Sequence, residues 1–254
     1  MDSPLFGTLF VCGSMVVSVV GLVVVRRFVN LVWLKKHHEI ASYFFLMIGT
    51  LYAVLIAFAI YVVWTQFQDA GAKLEAEANA VGDLSRMAAG LPDPQHAEVR
   101  DALLNYIHAV LDDEFPAMAE GRESPRTWAA MQRLMDVYTK AEVGNVKDQV
   151  FTTESLKHLN ELSNFRRSRL FTSRGTVPQL LWYLLFGGGA VLVAFTYFFG
   201  HESVAWQGAM TAALAGTLSF SLYLIIAFNG PFDGSTRVSP TPYQVELQHV
   251  SARY

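Results

Sequence analysis

Four long apolar runs, at residues 5–25, 43–64, 177–199 and 207–228, contain no Asp, Glu, Lys, Arg or His. Each is 21 to 23 residues long. At about 1.5 Å rise per residue, a helix of that length crosses a hydrocarbon core roughly 30 Å thick. Between the second and third runs the pattern changes, with apolar positions recurring every three or four residues among charged ones, as in amphipathic helices in water. The expected fold is an all-α polytopic membrane protein with four transmembrane helices and a helical soluble insert between the second and third.

The elements of the insert follow from punctuation as well as period. No Gly or Pro interrupts the chain from Trp64 to Gly71, and Leu74, Ala78, Val81 and Leu84 keep helical spacing. The second span is therefore expected to run on into water until Gly90 and Pro92. Asp93 as a cap and Pro94 at the first helical position predict a new helix. Its apolar face is Val99, Leu103, Tyr106, Ile107, Val110 and Leu111, and its pattern ends at Phe115 and Pro116. Ser124 and Pro125 repeat the start signal ahead of Trp128, Met131, Leu134, Met135 and Tyr138. A last insert helix is expected over residues 146–171, where Val150, Leu156, Leu159, Leu162, Phe165 and Arg169 are spaced too closely for strand alternation. Pro178 sits in the opening turn of the third span.

This reading divides the chain into a first transmembrane pair with a short basic loop (1–66), a helical soluble domain (67–176), a second transmembrane pair (177–228) and an extended C-terminal tail (229–254). Arg26, Arg27, Lys35 and Lys36 mark the basic loop; an interfacial amphipathic segment with snorkelling lysines is the alternative. The first run lacks a preceding basic region and a small-residue cleavage site, so it is expected to stay as an anchor rather than leave as a signal peptide. Pro231, Pro240 and Pro242 prevent the tail from continuing the fourth helix. Phe232 and Tyr243 are available there to dock.

Composition adds limits. Hydrophobic residues make up 52% and charged residues 16%, the balance of a membrane bundle with a modest soluble insert. A net charge of -3 gives no sign of a nucleic-acid partner. Cys12, the sole cysteine, excludes an intrachain disulfide and reads as a buried small hydrophobe. Spans without ionisable groups disfavour a proton pump and favour uncoupled conduction, scaffolding or lipid contact. Orientation stays open, because Arg26, Arg27, Lys35 and Lys36 on one side nearly balance Arg166, Arg167, Arg169, Arg174 and Arg237 on the other.

Several constellations are candidates for function. Gly49, Ala53 and Ala57 on the second span, and Gly208, Ala212 and Gly216 on the fourth, recur every four residues and predict close helix packing. Aromatic and aliphatic positions around Phe58, Ile60, Tyr61, Trp64 and Phe67 suit either lipid contact or an apolar constriction that gates by dewetting. Glu75, Glu77, Asp83, Asp112, Asp113 and Glu114 are read as a solvated helix face, since no convergent ligand spacing is evident. His37, His38 and His108 lack the spacing of a zinc helix. Gly187, Gly188 and Gly189 lack the Lys and Ser or Thr of a phosphate loop and are expected to pack closely or bend the third span. No nucleophile, metal or cofactor site is expected, and the chain is not expected to be an enzyme.

A resemblance extends this reading. His38 and Glu39, residues 52–58, 64–67, 114–121, 164–170, 178–182 and 231–234, and then Ser239 and Pro240, resemble the bestrophin-like membrane proteins, which are remotely similar to the true bestrophin channels. The resemblance runs from about residue 38 to residue 243. It implies a homo-oligomer, a pentamer if the remote relatives are followed, which conducts small inorganic ions, chiefly anions, in the bacterial inner membrane with insert and termini cytoplasmic. Under it the second span lines an axis, and Ile56, Ile60, Val63 and Phe67 form one lining face. Arg166, Arg167, Arg169 and Arg174 would then attract anions or anchor to lipid headgroups. The animal channels' acidic calcium clasp is not recognisable here. The alternative is a non-conducting scaffold or binding module that recruits a cytosolic partner.

Overall fold

The computed structural model describes residues 4–140, 146–173 and 177–252, and every regular element among them is helical. The order is α1 (Pro4–Phe28), α2 (Leu31–Ala88), α3 (Gln95–Ala109), a π-helical turn (Val110–Glu114), α4 (Phe115–Ala119), α5 (Pro125–Thr139), α6 (Val146–Thr172), α7 (Gln179–Thr196), α8 (Val204–Asn229) and α9 (Thr241–Ala252). Four of these, α1, α2, α7 and α8, are long and apolar enough to cross a membrane.

The expected basic loop shrinks to Val29 and Asn30, because Lys35 and Lys36 lie within the first turns of α2. Asn30 restarts the helix by accepting a hydrogen bond from the Val32 N–H at 2.9 Å. With no helix breaker in its path, α2 then runs unbroken for 58 residues. Its first part, with α1, α7 and α8, belongs to one compact unit, and its second part, from Gln66, to another.

In the membrane unit, close approach replaces hydrophobic drive. A Cβ at Gly216 of α8 would lie 3.1 Å from the Met15 sulfur of α1, and Ser219 donates to Ser14 across the same pair at 2.6 Å. Tyr52 of α2 lies against the glycine run of α7, where a Cβ at Gly188 would come within 2.6 Å of its ring. Its hydroxyl donates to the Leu185 carbonyl. The run therefore serves close packing, and α7 is continuous through it. Cys12 is exposed on α1 rather than buried as expected. On this unit Val16, Val17, Val20, Val23 and Val24 of α1 are exposed.

The second unit is a helical body. Leu74, Val81 and Leu84 of α2, Leu103 and Ile107 of α3, Met131 and Leu134 of α5, and Leu159 and Leu162 of α6 are buried together. Each contributes about 1.5–3 kcal/mol relative to exposure. Ser124 caps α5 as expected, its Oγ accepting from the Thr127 N–H at 3.2 Å. Asp93 does not cap α3, which begins at Gln95 with Pro94 at the N-cap and no side-chain cap bond. Nor do Phe115 and Pro116 end the helical path; it continues through the π turn and α4, and Gly121 turns it at φ 70. Trp128, expected on the apolar face of α5, is exposed.

The C-terminal segment departs from the expected extended tail by forming α9. Phe232 and Tyr243, available to dock by sequence, are both buried. Phe232 meets Phe115 edge-on with ring centroids 6.1 Å apart, and Tyr243 is fully buried.

Candidate functional site

Two features stand out: an uncovered face of α2 and a charge network sealed inside the helical body. On α2 the packed side is marked by Tyr52, Ile56, Ala59 and Val63, which are buried with Leu185 and Leu192 of α7 and Leu222 and Ile225 of α8. Half a helical turn away, Thr50, Val54, Ala57, Phe58, Tyr61, Thr65 and Gln68 are all exposed. Within the membrane unit this face passes from apolar (Val54, Phe58, Tyr61) to hydroxyl (Thr65). On the part of α2 that belongs to the helical body, Gln68, Ala72, Glu75 and Asn79 are exposed.

The face expected to line an axis is not the uncovered one. Ile56 and Val63 are buried against the chain's own helices, and Ile60 packs beside them. Phe67 packs on the core of the body. An apolar helix gives no register by composition alone, and only the partner helices show which side is free. The small-residue stripes split in the same way. Gly208 and Gly216 are buried, with Gly208 facing Val19 and Leu22 of α1 and Gly216 facing Met15, and Ala212 is half-buried. Gly49 faces Leu192 of α7, whereas Ala53 and Ala57 point outward.

The charge network joins α2, the π turn and α6. Arg169 Nε and Nη2 donate to Glu77 at 2.6 and 2.9 Å, and Nη2 also reaches Glu114 at 2.6 Å. Arg166 donates to Glu114 through Nη2 and, at 3.3 Å, through Nε. Glu77 accepts further bonds from Tyr243 of α9 at 2.8 Å and Tyr106 of α3 at 3.1 Å. Glu77, Glu114 and Arg169 are 0% exposed. Two carboxylates and two guanidiniums cancel, and their mutual attraction with the added tyrosine hydrogen bonds offsets the cost of taking these charges out of water. Burial alone would lower the Arg169 pKa, but Glu77 and then Glu114 outweigh it and hold it well above the ordinary value. Burial first and the Glu77 charge second push both tyrosines well above theirs.

These positions overturn one expectation and qualify the setting of another. Glu77 and Glu114 are buried rather than part of a solvated acidic face, and Arg166 and Arg169, expected to attract anions or anchor to lipid headgroups, pair with these carboxylates inside the body. Arg167 is exposed, and Arg174 lies outside the described residues. The sequence did carry a signal for the network. Glu77 sits three residues after Leu74 and four before Val81, Glu114 four after Val110, and Arg169 four after Phe165, so each charge falls on an apolar stripe. Among the described residues no group of three His, Cys, Asp or Glu side chains is placed to hold a metal ion.

The architecture has solved counterparts. A bacterial bestrophin homologue from Klebsiella pneumoniae, solved in several mutant forms, superposes with TM-scores of 0.71 and 0.69 in two of them, at 10% and 12% identity. These matches cover 95% of this chain and 98% and 99% of the homologue. Another solved membrane protein matches at a TM-score of 0.70 and 12% identity, covering 95% of this chain and 97% of its own. At such identities the likeness is one of fold. The sequence matches none of the curated proteins compared with it. The model of the bestrophin-like domain, however, matches residues 12–243, which spans both compact units. The chain belongs to the bestrophin-like family.

Proposed function

We propose that this protein is a homo-oligomeric ion channel whose pore is lined by the uncovered face of α2. The observation that carries the reading is the exposed stripe itself, which lies opposite the packed side of the helix and grades from apolar to polar. Around a symmetry axis, copies of Val54, Phe58 and Tyr61 form an apolar constriction that opens by rewetting. Copies of Thr65 and Gln68 offer hydroxyl and amide groups next to it. Cyclic closure supplies the axis, and family membership supports a pentamer in the inner membrane with the helical body and termini in the cytoplasm. Of the four arginines expected to recruit anions, Arg166 and Arg169 are engaged by buried carboxylates, so charge along the α2 face governs selectivity. A solvated carboxylate such as Glu75, repeated around an axis, favours cations over the anions that the resemblance implies.

Purified protein in planar bilayers tests the reading. Conductance is expected, and Tyr61→Asp should raise it by wetting the constriction, whereas Val20→Asp on the lipid side of α1 should not. Intact oligomers without conductance under varied salts would refute the channel.

A further inference from the structure

The helical body holds a cavity of about 520 Å³ between α5 and α6, away from the α2 face. Its wall is apolar and soft: Trp128, Met131 and Met135 on one side, Leu170 and Phe171 on the other. Its polar lining is Arg166 and Arg167 together with Glu123, Gln132 and Ser163, two cations against one carboxylate. The Arg166 side chain is 5% exposed, and its Nε and Nη2 are committed to Glu114. Its Nη1 has no hydrogen-bond partner among the described residues and is not sealed from solvent. The Arg166 guanidinium also lies 5.8 Å over the Trp128 ring. Arg167, one residue on, is exposed and pairs with no carboxylate among the described residues. A buried guanidinium with one free edge, beside an aromatic and thioether wall, is unsatisfied by water alone on the apolar side and by an apolar guest alone on the basic side.

We propose that this cavity binds a small organic monoanion, a carboxylate carried on an aromatic or alkyl body. The carboxylate accepts from Arg166 Nη1 and from Arg167, in the charge-assisted geometry guanidinium groups favour. The body lies on Trp128 and the two methionines, whose flexible thioethers adapt to its shape. The volume is in the range of small-molecule sites. Glu123 in the same lining disfavours a second negative group on the ligand. An inorganic anion leaves the wall uncovered, and a neutral guest leaves the guanidinium edge unpaired.

Occupancy has a route to α2. Arg166 is the first member of the chain Arg166, Glu114, Arg169, Glu77, and the last of these stands on α2. A carboxylate on Arg166 Nη1 adds a second negative partner to the guanidinium and so weakens the electrostatic hold of Arg166 on Glu114, the pairing that links it to Arg169 and α2. That this modulates conductance rests on the channel reading; the binding itself does not.

The test uses the full-length oligomer in nanodiscs of zwitterionic lipid, titrated calorimetrically with phenylbutyrate, phenylbutyramide and phenylbutylamine. Saturable binding of the carboxylate is expected, with amide and amine weaker by about tenfold or more, the worth of a charge-assisted bond. Arg167→Ala and Trp128→Ala, both at exposed positions, should each weaken the carboxylate by a similar factor without moving the melting temperature. Equal binding of the amide, or indifference to both variants, overturns the proposal. So does absence of saturable binding; if acrylamide then fails to quench the Trp128 component, taken as the difference from Trp128→Phe, a second copy of the chain covers the groove instead. A channel that fails to conduct but binds phenylbutyrate in this pattern leaves the site standing and removes only its link to gating.

Discussion

Arg169→Met is the sharpest probe of the helical body. The guanidinium it removes makes three short bonds to two carboxylates, at 2.6, 2.9 and 2.6 Å, and no other cation among the described residues pairs with Glu77, whose other partners are the hydroxyls of Tyr106 and Tyr243. Glu114 keeps Arg166. One buried carboxylate is thus left uncompensated, a lesion worth about 3–5 kcal/mol. For a body of this size, that corresponds to a fall in melting temperature on the order of 10 °C, read by tryptophan fluorescence in detergent. Adding Glu77→Gln removes the stranded charge, so the double variant should be more stable than Arg169→Met alone by about 1–3 kcal/mol. Hydrogen exchange should localise the loss to α6, α9 and the second half of α2. A drop below about 1 kcal/mol, or a double variant that simply adds the two single losses, would refute the idea that Arg169 holds the network together.

Other outcomes follow from particular contacts. Gly188→Ala places a methyl into the Tyr52 ring and should destabilise the α2–α7 packing by about 1–3 kcal/mol, measured by heating in detergent, while Gly187→Ala, with open space at that position, should not. Because Tyr106 and Tyr243 are held well above their ordinary pKa, they stay neutral in the folded body while the unfolded chain ionises near pH 10. Their contribution is complete below about pH 10 and is lost as pH rises beyond it; Tyr243→Phe should flatten that alkaline decline in a melting series from neutral to strongly alkaline pH. Glu75→Gln should move the reversal potential in a salt gradient toward anion permeability, and an unchanged potential would remove Glu75 from the conduction path.

How much of this was legible before the structure depended on what each residue type signals. The four spans were readable because a bilayer demands long uncharged runs, and Ser124 with Pro125 marked the start of α5 through a local hydrogen bond and a fixed φ. The continuation of α2 into the body was readable from the lack of breakers. What was not readable was rotation. Around Ile56 and Val63 the helix is apolar on every side, so sequence period does not distinguish the face packed on α7 and α8 from the free face bearing Val54 and Tyr61. Buried charge misled for the opposite reason: Glu77, Glu114 and Arg169 carry the chemistry of a surface and are buried only because they meet one another, at sequence separations of 92 and 55 residues from Arg169. α9 was hidden by the prolines ahead of it, and its place is fixed by Tyr243 reaching Glu77.

The account turns on which side of α2 meets an aqueous path. The direct measurement is single-cysteine modification along residues 50–68 in a Cys12→Ser background, with a charged thiol reagent applied during current recording. Modification that changes current is expected at Ala57, Tyr61, Thr65 and Gln68, with Ile56 and Val63 silent. Reaction at Ile56 and Val63 instead, or equal reaction around the whole helix, would contradict the proposal that the uncovered face lines the pore.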